Sequence, residues 1–381
     1  MHATMASATF RTALLLALSA VPALLRAQRP SSADTVALRE WDVPWEGTRP
    51  RDPAVGSDGR IWFVGQEGNY VARLDPASGK FTRIELDPGT HPHTISVDRD
   101  GNAWYTGNRN GMIGMIDAKT GAITRYPMPD LAAKDPHTIA FDNAGDLWFT
   151  LQSSNMVGHL ARSTGKVRLA KMDTPGSRPY GIVVDAKGRP WFNLFGTNKM
   201  GTIDPMSMRV REYPLPDARA RGRRIALTSD GSIWYVDYVR GFLGKLDPAS
   251  GSVREWTMPG GGAALPYAMT VDDNDRLWFV ETGRQPNRLV GFDPRDGKFF
   301  GATNLGPAAP NTVRHMVFDK KTQSIWFGSD RGTIGRAVVP KGNGRMIGSC
   351  RLLSRHLYAS RQRQQSPIQG PHLVLRQPRI A

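Results

Sequence analysis

The stretch HTISVDRDGNAWYT (residues 93–106) recurs along the chain as HTIAFDNAGDLWFT (137–150), YGIVVDAKGRPWFN (180–193) and YAMTVDDNDRLWFV (267–280). Each copy contains an alternating apolar strand, a tight turn, and a second strand that carries a tryptophan followed by another aromatic residue. That tryptophan occurs seven times, at intervals of 42 to 48 residues: Trp62, Trp104, Trp148, Trp191, Trp234, Trp278 and Trp326. A fixed period of this length indicates seven structural repeats.

A second phrase follows the tryptophan, as in IGMIDAKTGAITRYPMP (113–129) and LGKLDPASGSVREWTMP (243–259). It contains another turn and ends in an outer strand bounded by proline, where a missing N–H is tolerated. Each repeat therefore gives about four short strands. A four-stranded sheet of this size cannot bury both faces alone, whereas seven sheets packed around an axis can. The sequence predicts an all-β fold, a seven-bladed β-propeller over residues 38–340.

The last repeat lacks an outer strand of its own. It ends at IGRAVV (334–339), and the segment REWDVP (39–44) resembles the outer strands REYP (211–214) and REWT (254–257). We predict that residues 38–44 complete the seventh blade, which closes the ring and covers two strand edges.

The composition is that of a globular protein with an excess of basic residues. Of the 381 residues, 40% are hydrophobic and 22% are charged, which excludes a disordered chain, a collagen-like fibre and a protein with several membrane spans. The single cysteine excludes a disulfide framework and cysteine-based zinc sites. The formal charge of +16 raises the question of an anionic partner.

Much of this charge lies outside the repeats. Residues 341–381 contain eight Lys and Arg and no acidic residue, and we predict that they form a basic, disordered tail. The repeats contain no nucleic-acid-binding motif, so nucleic acid is not an expected partner. At the N-terminus, Arg11 precedes an apolar run from Thr12 to Leu25, and the small residue Ala27 follows. This layout predicts a signal peptide over residues 1–27 and a periplasmic or secreted protein.

One position at which the repeats differ lies five residues before the turn residue, where the innermost strand begins. Functional residues often occupy such variable positions on a repeated scaffold. Through the seven blades this position holds Arg51, His93, His137, Tyr180, Arg223, Tyr267 and Arg314. All are large and polar, and none is acidic. They predict either the polar lining of a water-filled channel or a cup of donors for an anionic or carbonyl-bearing ligand.

Acidic residues enter this region at few places. Asp135 stands two residues before His137, so both can lie on one strand face and form an acid–base site with His93. Glu281 stands three residues after the tryptophan of blade six, and Asp237 holds the same position one blade earlier. These carboxylates could bind Mg or Ca or act as a base. Alternatively, they are exposed turn acids or partners of Arg223 and Arg314.

The repeated patterns Pro-His-x-Ile-x-x-Asp-x-x-Gly-x-x-Trp-Phe and Ile-Gly-x-Ile-Asp-x-x-Thr-Gly resemble the virginiamycin B lyase (streptogramin lyase) family over about residues 38–340. The resemblance implies a seven-bladed propeller that opens cyclic depsipeptide antibiotics by Mg-dependent elimination. It also implies a site with an axial His on one blade. The next blade supplies Glu-x-His at the axis and a Glu three residues after its tryptophan, with glutamates as Mg ligands and a His as general acid or base.

The chain matches this set of site residues only in part. Blades two and three supply His93, Asp135 and His137, but Leu151 stands where the second Glu is required. Blade six supplies Glu281. The other positions of the set at blades five and six hold different residue types: Arg223, Leu265 and Tyr267.

Two functions from different classes follow. The first is a lyase acting on a cyclic depsipeptide or related ester, with Mg at Asp135 or Glu281, and with His93 and His137 as acid–base residues. The other axial residues would bind the ligand: Arg51, Tyr180, Arg223, Tyr267 and Arg314. The second is a propeller that binds a small molecule or peptide at the axis, or a protein on its rims, without catalysis. In both cases we expect a monomer, and the fold alone does not decide between them.

Overall fold

In a computed structural model the chain forms 28 β-strands arranged as seven four-stranded antiparallel sheets. The structure describes residues 36–340, so the predicted signal peptide (1–27) and basic tail (341–381) lie outside the described residues. The innermost strand of each sheet contacts the innermost strands of both neighbouring sheets, from blade one round to blade seven. The predicted seven-bladed β-propeller is confirmed.

In blades one to six, four consecutive strands follow one another outward from the axis. Blade one contains β2 (Pro50–Val55), β3 (Ile61–Gly65), β4 (Tyr70–Leu74) and β5 (Phe81–Glu85). Blade two contains β6 (Pro92–Val97), β7 (Ala103–Gly107), β8 (Met112–Ile116) and β9 (Ile123–Pro127). Blade three contains β10 (Pro136–Phe141), β11 (Leu147–Leu151), β12 (Met156–Ala161) and β13 (Lys166–Lys171).

Blade four contains β14 (Pro179–Val184), β15 (Pro190–Leu194), β16 (Lys199–Ile203) and β17 (Val210–Pro214). Blade five contains β18 (Gly222–Leu227), β19 (Ile233–Asp237), β20 (Phe242–Leu246) and β21 (Val253–Thr257). Blade six contains β22 (Pro266–Val271), β23 (Leu277–Glu281), β24 (Asn287–Asp293) and β25 (Lys298–Leu305). Blade seven combines β26 (Val313–Asp319), β27 (Ser324–Ser329) and β28 (Thr333–Val338) with β1 (Ala37–Asp42).

Helix is limited, within residues 36–340, to one short 3-10 turn at Gly261–Ala263. No helix in this described part of the chain is long and apolar enough to cross a membrane.

The turn aspartate also holds the tryptophan of its own blade. In blade two, one oxygen of Asp98 accepts hydrogen bonds from the backbone N–H groups of Asp100 and Asn102. Its other oxygen accepts one from Nε1 of Trp104 at 2.8 Å. The same indole bond recurs in three other blades, with Asp142, Asp185 and Asp272 as acceptors. The Asp-x-x-Gly turn and the tryptophan therefore form one unit.

The glycine of the second phrase makes room for the aromatic residue that follows the tryptophan. In blade five, a Cβ on Gly244 would lie 2.1 Å from the ring of Tyr235. In blade three, a Cβ on Gly158 would lie 2.2 Å from the ring of Phe149. Packing, rather than backbone conformation, requires glycine here.

The tryptophans pack between neighbouring blades. Trp234 of blade five lies in one apolar cluster with Leu277 and Phe279 of blade six. Trp278 of blade six lies with Ile325 of blade seven. Each fully buried large apolar side chain of this kind contributes about 1.5–3 kcal/mol, so the blade-to-blade contacts hold the ring together.

In every blade the innermost strand departs from regular pairing near its start. In blade three, Pro136 pairs with Leu151 and Ile139 with Phe149, so residues 137–138 are out of register. The other six innermost strands shift near the same place. Such a bulge breaks the strict alternation of side chains between the two faces of a sheet. It explains why two consecutive residues of a strand can both reach the axis.

β1 is the outermost strand of blade seven. It runs antiparallel to β28, with Asp42 opposite Thr333, and the ring of Trp41 stacks on Trp326 at 5.5 Å between centroids. Its contribution to holding the ring closed stays a prediction.

Candidate functional site

The axial positions read from the repeats lie together at the end of the axis where the innermost strands begin. The rings of His93 and His137 are 3.6 Å apart between centroids, and His137 lies 4.3 Å from Tyr180. The phenol groups of Tyr180 and Tyr267 form a short hydrogen bond, although the two residues belong to blades four and six. All four side chains are buried. The axis is therefore filled with side chains at this level.

Arg223 completes the cluster on the side of blades four to six. Its guanidinium carbon lies 3.6 Å from the centre of the Tyr267 ring and 4.1 Å from that of Tyr238. The ring of Phe195 is 5.0 Å away. Arg223, Tyr238 and Phe195 are only half-buried. Solvent therefore reaches the site on this side, where Arg223 packs against the rings of Phe195 and Tyr238.

Arg51 enters the cluster from blade one. Its Nε donates to Asp52 at 3.0 Å, and its Nη1 donates to Gln66 at 3.0 Å. Asp52 is fully buried and also accepts hydrogen bonds from Thr94 at 2.8 Å and from Arg224 at 3.3 Å. Arg51 Nη2 is buried and has no hydrogen-bond partner among the described residues.

Arg224 of blade five crosses the axis. Besides its ion pair with Asp52 of blade one, it donates to the carbonyl oxygen of Arg314 at 3.1 Å and to Thr138 at 3.4 Å. Four blades are thereby joined through the centre of the ring. Sequence reasoning missed Asp52, Arg224 and the neighbouring His315. Each directly follows an axial position, and only the bulge brings it to the axis.

Burial and the charges of the cluster shift the pKa values of its histidines and of Tyr267. Burial first, and then the nearby arginines, lower the pKa of His93 well below its ordinary value; burial, His93 and Arg224 do the same for His137. Both are neutral at neutral pH. Burial opposes the ionised form of Tyr267, but Arg223, Arg51 and Arg224 outweigh it and lower the pKa of that phenol.

The two acids of blades five and six are held by arginines. Glu281 is fully buried and forms an ion pair with Arg288, which lies directly opposite it on β24. It also accepts a hydrogen bond from the N–H of Gly260 at 2.7 Å. Asp237 lies 3.0 Å from Nε of Arg240. Both acids are thus buried and paired with arginine, but their partners are Arg240 and Arg288 rather than the expected Arg223 and Arg314.

Asp135 is bound to a neighbouring loop. Its carboxylate accepts hydrogen bonds from the backbone N–H of Ser153 at 2.7 Å, and from the N–H and hydroxyl of Ser154 at 3.3 and 3.1 Å. These bonds account for both carboxylate oxygens. The structure therefore brings His93 and His137 together with the Arg and Tyr residues, and leaves Asp135 and Glu281 bound elsewhere.

The residues present do not fit the magnesium site that the resemblance implies. Leu265, Tyr267 and Arg223 offer no carboxylate, and Glu281 is bound by Arg288. The charge of Arg223 would also repel a divalent cation.

One group of potential ligands lies away from the axial cluster, on the turn and strands of blade three. Nε2 of His159 is 3.9 Å from Asp142 and 3.7 Å from Asp146. Arg168 lies 3.4 Å from Nδ1 of the same ring. Because arginine can only donate, the ring hydrogen of a neutral His159 belongs on Nε2. That hydrogen faces the carboxylates, so Nε2 has no lone pair for a metal ion and the three residues form a polar contact.

Comparisons with known proteins agree with the fold. The model of the virginiamycin B lyase family matches residues 36–337. A solved streptogramin B lyase is 26% identical, with 79% of this chain and 97% of that chain covered and a TM-score of 0.72. The virginiamycin B lyase of Staphylococcus aureus is 25% identical, with coverage of 80% and 100% and a TM-score of 0.72. A catalytically inactive variant of that enzyme, solved with quinupristin, gives the same values.

A search of curated proteins gives no match. The family match, however, spans all seven blades. The chain therefore belongs to the virginiamycin B lyase family.

Proposed function

We propose that this chain is a lyase that opens an ester by β-elimination at the axial cluster, with Arg223 and Tyr267 at positions where the family pattern has histidines. One observation carries the proposal: the guanidinium carbon of Arg223 lies 3.6 Å from the centre of the Tyr267 ring at those two positions. The guanidinium of Arg223 can stabilise negative charge, and the phenol of Tyr267, whose pKa is lowered, can act as a base beside it.

The reaction balances without water. A base removes the proton from the carbon next to a carbonyl, and the electron pair of that C–H bond forms a C=C bond. The ester C–O bond breaks on the next carbon, and its electron pair leaves with a carboxylate. The phenolate of Tyr267 would accept the proton, and the cations of Arg223 and Arg51 would stabilise the negative charge that develops on the carbonyl oxygen.

The proposal replaces the magnesium of the sequence-based hypothesis with arginine. Supporting it are the ion pair that binds Glu281 to Arg288 and the loop hydrogen bonds that hold Asp135. His93 and His137 remain predicted acid–base residues. Because both are neutral at neutral pH, either could accept a proton.

Quinupristin, the ligand in the Staphylococcus aureus structure, provides the test. Purified protein is incubated with it in EDTA, and the products are followed by chromatography and mass spectrometry. Elimination opens the ring without a change in mass, whereas hydrolysis adds one water. We expect ring opening in EDTA, with kcat/KM lower by about 100-fold or more in Tyr267→Phe and Arg223→Gln.

The matched control is Arg219→Gln, which removes the same charge from an exposed position just before blade five. This variant should keep full activity. Activity that EDTA abolishes and Mg restores would contradict the metal-free mechanism. A comparison of His137→Gln with Tyr267→Phe tests which residue takes the proton.

A second candidate is an axial binding propeller without catalysis. The observation that favours it is the replacement of three residues of the family's site by Arg223, Leu265 and Tyr267. Saturable binding of quinupristin by calorimetry, with no ring opening over hours, would select this candidate.

We also propose that the protein acts as a monomer outside the cytoplasm. The signal-peptide pattern over residues 1–27 supports export. N-terminal sequencing of protein recovered from the periplasm should begin near residue 28, and a protein found only in the cytoplasm with its N-terminus intact would contradict export.

A further inference from the structure

The axial cluster holds more positive than negative charge. Four arginines meet there: Arg51, Arg223, Arg224 and Arg314. Two carboxylates oppose them, since Asp52 pairs with Arg51 and Arg224, and Asp330 pairs with Arg314. Among the described residues, Arg223 forms no ion pair with a carboxylate. A half-buried charge that no carboxylate opposes is less favourable than a paired one, so an anion would stabilise the site.

Two guanidinium atoms are free to bind one. Arg51 Nη2 and Arg223 Nε are buried and have no hydrogen-bond partner within residues 36–340. Arg51 itself is 5% exposed. Buried polar atoms in folded proteins are nearly always bonded, and exceptions require an explanation. A carboxylate is a suitable partner for such atoms, because guanidinium and carboxylate form strong charge-assisted hydrogen bonds.

The site has one internal group that could supply negative charge when no ligand is present. Tyr267 is buried, is hydrogen-bonded to Tyr180, and has Arg223 against its ring. The charged and titratable groups that face it come from blades one, four, five and seven: Arg51, Tyr180, Arg223, Arg224, Tyr238 and Arg314. None is acidic, so loss of the phenol proton is favoured there.

We propose that the axial cluster is a proton-linked carboxylate site, in which Tyr267 is ionised when the site is empty and takes up a proton when a ligand carboxylate binds Arg51 and Arg223. The ligand carboxylate replaces the phenolate as the anion of the cluster, and the proton comes from solvent. The inference rests on the same residues as the proposed elimination but needs no turnover.

The surroundings indicate what accompanies the carboxylate. Phe195 and Tyr238 form a half-buried aromatic wall beside Arg223, with ring centroids 6.1 Å apart. Flat apolar groups pack well against such a wall. The expected ligand is therefore an organic acid with an aromatic or apolar body. The carboxylate product of the proposed elimination belongs to the same chemical class. In that reaction Tyr267 would also end protonated, as it does when a ligand carboxylate binds.

Benzoate is a suitable probe, with benzamide as its uncharged counterpart. At pH 8, the absorbance of the full chain at 295 nm should show a single tyrosinate that is absent from Tyr267→Phe. Benzoate should remove this absorbance with saturation, and benzamide should not. Calorimetry in two buffers of different ionisation enthalpy should show uptake of close to one proton per benzoate bound.

Variants separate the parts of the proposal. Arg223→Gln should weaken benzoate binding at least about tenfold, as expected for the loss of a charge-assisted hydrogen bond. Arg219→Gln, the exposed control, should not. Tyr267→Phe should bind benzoate without proton uptake.

Three results would overturn the proposal. These are benzoate binding without proton uptake in the unsubstituted protein, equal binding of benzoate and benzamide, and binding of inorganic phosphate with none of benzoate. Elimination is measured separately on quinupristin. A carboxylate site without elimination would remove the proposed function and leave this inference standing, and elimination without proton-linked binding would do the reverse.

Discussion

Glu281 shows how a single neighbour decides what a carboxylate can do. In the family pattern an acid at this position would hold a metal ion, but here Arg288 pairs with it inside blade six and the N–H of Gly260 binds its other oxygen. A carboxylate with its charge already opposed gains little from binding a cation. The sequence shows the acid and not its partner, because Arg288 lies on the next strand.

Replacing Arg288 by methionine would leave Glu281 buried and unpaired. We expect a loss of about 3–5 kcal/mol in the free energy of unfolding, measured by urea titration. The double variant Glu281→Gln with Arg288→Met should recover most of this loss. A single variant as stable as the original protein would show that the pair does not hold the acid.

The buried histidines predict a pH dependence of stability. Because the pKa values of His93 and His137 are lowered in the folded state, the unfolded chain binds more protons below its own histidine pKa of about 6.5. Stability should be fully present above that pH. It should fall by about 1.4 kcal/mol per pH unit for each histidine as the pH decreases below it. Urea titrations at several pH values should show this slope reduced in His137→Gln; an unchanged slope would contradict the assignment.

The axial residues could be read from sequence because seven aligned repeats single out the position at which they differ. His93, His137 and Tyr267 were found in this way. Asp52 and Arg224 were not, since a regular strand would direct them away from the axis. The bulge that redirects them depends on pairing between strands, which has no signature in the repeat pattern.

At the scale of elements, the tryptophan strand and its glycine partner determine the blade. The sequence predicts the number of strands and their order because each turn and each tryptophan recurs. The reason for the glycine on the third strand appears only in three dimensions, where the Tyr235 ring occupies the space that a Cβ on Gly244 would take. Local pattern is therefore sufficient for the architecture, and packing accounts for the details.

β1 allows a direct test of ring closure. Trp41 stacks on Trp326 of the last blade and is 8% exposed. We expect Trp41→Ala to reduce the free energy of unfolding by about 3–5 kcal/mol. The variant should also make blade seven the first site of limited proteolysis. Asp42→Ala, an exposed change on the same strand, should have an effect within about 0.5 kcal/mol. Equal effects of the two changes would argue against closure by this strand.

At the scale of the whole molecule, the ring is joined across its centre as well as around its circumference. Arg224 links blade five to blade one through Asp52 and to blade seven through the carbonyl oxygen of Arg314. The pair is fully withdrawn from solvent, so breaking it on one side leaves a buried charge. Blades that share no interface are thus energetically coupled.

Arg224→Met should therefore weaken several blades together. We expect a loss of about 3–5 kcal/mol in the free energy of unfolding. Amide hydrogen exchange should be faster in β2 and β26 as well as in β18. The exposed Arg219→Met serves as the control and should leave exchange unchanged. Faster exchange confined to blade five would show that the axial contacts do not couple the ring.

The pairing of β1 with β28 also has a consequence for biosynthesis. Thr333 donates a hydrogen bond to Glu40, 293 residues earlier in the chain. At about 5 to 20 residues per second, a ribosome needs roughly 15 to 60 seconds to make the partner of a strand that it produced almost first. Throughout that interval the segment that becomes β1 has no β28 to pair with. Blade seven therefore cannot be completed until the last strand of the propeller has been made, and a chain truncated before Thr333 should lack it.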